Sequence, residues 1–144
     1  MTKKYSRHLR FDSVTNFRDI GGYSARGGHI VAFPLFATDD RLAAALESAG
    51  ADEGERLWRM PLVEDYRSAL DSPVADLRHV PGDAKVGGGA ITAALFLREF
   101  TAGRRWAHLD IAGTGRAEKD EHEISRGATG FGARLLLRWL ETLR

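Results

Sequence analysis

Three stretches near the C-terminus restrict the fold of this chain more than any other feature. They are "AITAALFLREFTAG" at Ala90–Gly103, "WAHLDIAG" at Trp106–Gly113 and "TGFGARLLLRWLETLR" at Thr129–Arg144. The first puts Ile91, Leu95, Phe96 and several alanines on one broad helical face, with Gly103 as a natural stop. The second is short, apolar and alternating, which reads as a buried strand. The third has the period of an amphipathic helix. A strand set between two helices is α/β logic, and it predicts helices packed on a small sheet.

The upstream half is read by the same rules. "HLRF" at His8–Phe11 and "HIVAFPLF" at His29–Phe36 are strand-like runs on either side of "GGYSARGG", a turn-rich stretch. "TDDRLAAALESAG" at Thr38–Gly50 follows as a helix. Thr38 or Asp39 caps it, Leu42, Ala45, Leu46 and Ala49 keep helical spacing, and Gly50 is placed to end it. The pattern predicts a second helix in "ADEGERLWRM" at 51–60, ending before Pro61, and a third in "VEDYRSALD" at 63–71. "VADLRHVPGDAKVGGG" at 74–89 reads as loop.

Bulk properties narrow the function classes. A chain of 144 residues suits one domain with a real core. A formal net charge of +1 supplies no basic footprint for nucleic acid or a membrane surface, and "TKKYSRHLR" at Thr2–Arg10 reads as a solvated arm. The absence of cysteine removes disulfides, thiolate metal sites and thiol nucleophiles together. No apolar run approaches the roughly 20 residues of a membrane span, and no signal-peptide pattern follows the basic start. A soluble, cytoplasmic protein is expected.

Several groups invite a chemical reading. His108 and Asp110 lie two apart, so on a strand they share a face and are candidate metal ligands. A divalent site needs three or four ligands, and the next carboxylates lie in "EKDEHE" at Glu118–Glu123, a solvated acidic loop, so a core role for the pair is preferred. "GADEGERL" at Gly50–Leu57 is acidic, but neighbours one and two apart on a helix point in different directions; it reads as an exposed helix start. "VGGGAITAA" and "GATGFG" set glycines before helices, an arrangement whose amides hold anions. Neither carries the Lys and Ser/Thr of a phosphate loop, so close backbone packing is the preferred reading. No serine has the glycine-flanked elbow of a hydrolase nucleophile.

From about Leu35 onward the chain resembles the C-terminal part of the leucyl (cytosol) aminopeptidases, two-metal hexameric exopeptidases. The likeness is carried, in family order, by "LFATDDRLAAALESAG", "GERLWRMPL", "YRSALDSPVADLRHV", "GGGAITAALFLREF", "WAHLDIAGT" and "GATGFGARLLLRWL". It implies a partial aminopeptidase catalytic domain and metal-dependent release of N-terminal amino acids from peptides. It also implies two divalent ions, manganese or zinc, bound by a lysine and carboxylates. Some of these sit in an N-T-D-A-E-G-R motif that also holds the catalytic arginine, upstream of the "LF" segment. No such motif occurs here. No catalytic residue, metal ligand or cofactor is therefore expected in this chain alone. What the resemblance carries over is pocket wall: Val80, Ala112 and Gly115 match positions lining the family's side-chain pocket, with Gly115 where some members have a larger residue. His79 replaces the usual Asn, and "PGDAK" at Pro81–Lys85 departs from the pattern.

The first residues look different. "NFRDIGGY" at Asn16–Tyr23 resembles the start of a tyrosine-phosphatase family that attacks phosphate with a cysteine, a residue absent here. The sequence is accordingly divided into a β-rich segment at 1–34 and an aminopeptidase-like module at 35–144, with "PLFATDD" at Pro34–Asp40 as the seam. Losing upstream strands leaves "WAHLDIAG" short of partners, and the segment around 29–36 is expected to pair with it. The functional expectation is an aminopeptidase-related chain that is truncated and inactive alone. The alternative is a non-catalytic assembly module that associates with itself or with a full-length relative. A peptide substrate is implied by resemblance only; nucleic-acid and membrane partners are not expected.

Overall fold

The computed structural model describes residues 32–83, 87–120 and 124–143. At its centre is β1, Phe33–Ala37, a five-residue strand buried along its whole length. It pairs in parallel with β2, Leu57–Arg59, and antiparallel with β3, Ala107–Leu109, giving the order β2-β1-β3. Of the 29–36 region expected to pair with "WAHLDIAG", Leu35 and Phe36 do so, in the register Leu35↔Leu109 and Phe36↔His108, continued by Ala37↔Ala107; residues 29–31 lie outside the described residues. The 34/35 boundary drawn from sequence falls inside β1. The buried strand is β1, however, and not β3. Among the described residues β3 has a neighbour on one side only, and it is half-buried.

Both faces of β1 are apolar because both are covered. Phe33, Leu35 and Ala37 join Ala43, Leu46, Ala49, Leu57 and Leu135 in one core, and each large side chain buried there contributes about 1.5–3 kcal/mol. Ala43, Leu46 and Ala49 come from α1, Asp40–Asp52, and Leu135 from α3, Ala133–Glu141. Phe36 alternates to the opposite face and is fully buried. α2, Gly89–Arg98, lies against β1 and against a 3-10 segment, Glu64–Leu70. Arg98 makes a two-point pair with Glu64 and Arg67 Nε meets Glu99 at 2.7 Å, locking the 3-10 segment to α2. A short pair, β4 at Arg116–Ala117 and β5 at Gly127–Ala128, completes the α/β fold.

Two helical expectations are corrected. The 51–60 stretch is not a helix: α1 runs on to Asp52, Gly54 turns the chain at φ +73°, and Leu57 starts a strand opposite Phe33. "GADEGERL" is thus a helix end, and its Glu55 is buried. Gly50 does not stop α1. It is buried within the helix because a Cβ there would sit 2.5 Å from the Glu55 carbonyl oxygen and 2.8 Å from Leu135 Cδ1. The 63–71 prediction finds its segment in 3-10 form. At the start of α1 the cap is Asp39, which accepts the Leu42 N–H at 2.8 Å. The "HLRF" run and the phosphatase-like "NFRDIGGY" lie outside the described residues.

Candidate functional site

The candidate wall starts where β3 ends. The Asp110 N–H donates to Pro34 O at 3.0 Å, and its Oδ1 accepts the Ala112 N–H at 3.1 Å, so the carboxylate is spent on shaping its own turn. Ile111 O then accepts N–H groups from Thr114 at 3.0 Å and Gly115 at 2.8 Å. This close turn explains the glycine, since a Cβ on Gly115 would lie 3.2 Å from Ile111 O. A larger residue at this position moves the turn outward by a few tenths of an ångström. Ala112 is exposed and Gly115 partly buried.

Behind this turn stands the β4–β5 pair. The Thr129 hydroxyl donates to Thr114 O, the Thr129 N–H donates to Gly115 O at 3.2 Å, and Thr129 Oγ1 accepts the Phe131 N–H at 3.2 Å. Phe131 in turn packs its ring on Phe33 at 3.9 Å between centroids. The turn is thereby fastened to the first core strand.

His108 and Asp110 do not converge on a metal. The His108 ring stacks on Trp106 at 6.1 Å with planes 5° apart, and on Phe36 at 6.1 Å with planes 22° apart. Burial pushes the imidazole below its ordinary value of 6.5, and the Asp110 charge offsets this only in part. The ring is half-buried in an aromatic stack that favours its neutral form. Among the described residues no three His, Asp or Glu side chains gather as a divalent ion requires. The described residues do not fit a metal pair.

Val80 comes from a different loop and is 60% exposed. That loop is tied down by the Arg78 N–H donating to Leu70 O at 2.9 Å and by His79 set edge-on to Phe96 at 6.4 Å. The structure thus joins Ala112 and Gly115 in one turn and leaves Val80 on the α2 side. Two open hollows of about 320 and 470 Å³ are lined by other residues, around Arg98–Arg104 and Asp65–Ala69.

One residue carries more of this architecture than its sequence context announces. Glu55 Oε2 accepts the N–H of Gly132 at 3.1 Å and of Leu135 at 3.0 Å, and Oε1 lies 3.5 Å from Arg134. A carboxylate 77 residues upstream of Gly132 caps the N-terminus of α3. The anion at the last amide of "GATGFG", that of Gly132, is therefore the chain's own. The sequence signal was available: Gly132 at the N-cap offers no capping side chain, so a buried helix start there requires an acceptor from elsewhere. Before α2, Gly88 serves packing, with φ +74° and its would-be Cβ 3.2 Å from Tyr66 Cε1.

Residues 22–137 match the Cytosol aminopeptidase family, catalytic domain. This chain belongs to that family. A probable cytosol aminopeptidase from Synechococcus sp. (strain JA-3-3Ab) is 47% identical over 138 residues, covering 94% of this chain and 26% of the relative. One from Chlamydia felis is 49% identical over 109 residues, 74% of this chain and 21% of the relative. Among solved structures, the bottromycin maturation enzyme BotP in complex with Mn superposes with a TM-score of 0.68 at 39% identity, covering 78% of this chain and 24% of that one. A mutant of tomato leucine aminopeptidase gives 0.64 at 36% identity, covering 76% and 20%. The chain therefore spans about a quarter of the length of the relatives it matches. The family match begins at residue 22, upstream of the 34/35 boundary. Among the described residues no helix is long and apolar enough to cross a membrane.

Proposed function

We propose that this chain supplies a wall of an aminopeptidase substrate pocket, the turn bearing Ala112 and Gly115 together with the separate loop that carries Val80, and does not by itself hydrolyse peptides. The observation that supports this most is how the two best-placed donors are spent. His108 lies in the Trp106–Phe36 stack and Asp110 holds the Ala112 N–H. Two-metal hydrolysis needs a water activated by both ions and a clamp for the developing oxyanion. A wall contributes binding and orientation, whereas the electrostatic share comes from groups this sequence does not carry. Losing that share removes more than the roughly 3–4 kcal/mol attributed to one oxyanion donor. The test is hydrolysis of leucine amide by the purified chain with manganese or zinc. No metal-dependent release is expected, and robust turnover that tracks protein concentration contradicts the reading.

A further inference from the structure

We draw no further inference here: the strongest candidate, the open hollow of about 320 Å³ at the end of α2 beside Arg104, carries nothing because its polar lining is already spent within the chain, Thr38 on Trp106, Thr101 on the Arg98 carbonyl, Arg98 on Glu64 and Glu99 on Arg67, and so selects no ligand.

Discussion

Replacing Glu55 by alanine removes the acceptor on which the start of α3 depends. Glu55 is 4% exposed and takes N–H groups from Gly132 and Leu135 at 3.1 and 3.0 Å. Each amide left without a partner in a buried site costs about 1–3 kcal/mol. The lost carboxylate at a helix N-terminus adds about 0.3–1 kcal/mol. If a water enters the space left and satisfies one amide, the sum falls toward the lower end, so Glu55→Ala should destabilise by about 2–4 kcal/mol, a large share of the 5–15 kcal/mol typical of a domain. Glu55→Gln keeps a carbonyl acceptor and gives up the charge, and should lose only about 1 kcal/mol. Urea denaturation followed by tryptophan fluorescence and circular dichroism measures both variants, with the slope checked for constancy. An alanine variant within about 0.5 kcal/mol of the parent would refute the assignment of Glu55 as the cap of α3. Equal losses for the two variants would assign the effect to charge and not to the hydrogen bonds.

Further expectations follow from other contacts. Gly50→Ala gains about 1 kcal/mol in helix propensity, but its Cβ falls 2.5 Å from a backbone oxygen, so a net loss of about 1–3 kcal/mol is expected in the same assay; a stabilised variant would contradict the close packing of α1 on α3. Thr129→Val leaves the Thr114 carbonyl and the Phe131 amide without their hydroxyl partner and should cost about 1–2 kcal/mol, with faster hydrogen exchange at Phe131; unchanged exchange there counts against the fastening of the turn. For His108, the folded state favours the neutral ring, so its pKa lies below the unfolded value near 6.5. Its contribution is intact above 6.5 and is lost as pH falls from there through the folded pKa. Unfolding free energy should therefore decline on acidification through this window, and His108→Phe should flatten that part of the profile; an unaltered slope would show that other groups set it.

The parts of the fold that sequence revealed are those with a long period or a local cap. Asp39 ahead of Leu42 and Leu46 marks α1, and the leucines of α3 mark an amphipathic helix, because both signals lie within one or two turns. β2 was missed because a three-residue strand with one buried side chain, Leu57, has no periodicity to detect. Its polar, unbranched neighbours read as helix until Gly54 is seen at positive φ. Gly50 misled for a different reason: a glycine required by a neighbouring helix looks, in sequence, like one that ends its own. For the site, the aromatic setting of His108 was half legible, since Trp106 is its neighbour on the strand face whereas Phe36 arrives through pairing 72 residues away. The role of Glu55 was illegible locally, because its partners are 77 and 80 residues downstream.

The central proposal is that this chain builds a pocket wall and holds no pair of divalent ions by itself. Titration of the purified chain with manganese and with zinc in a calorimeter tests it most directly. The account predicts no saturable heat at tens of micromolar protein, roughly the range in which a preorganised site of useful affinity would register. Stoichiometric binding of two ions per chain, abolished by His108→Ala or Asp110→Asn, would contradict it.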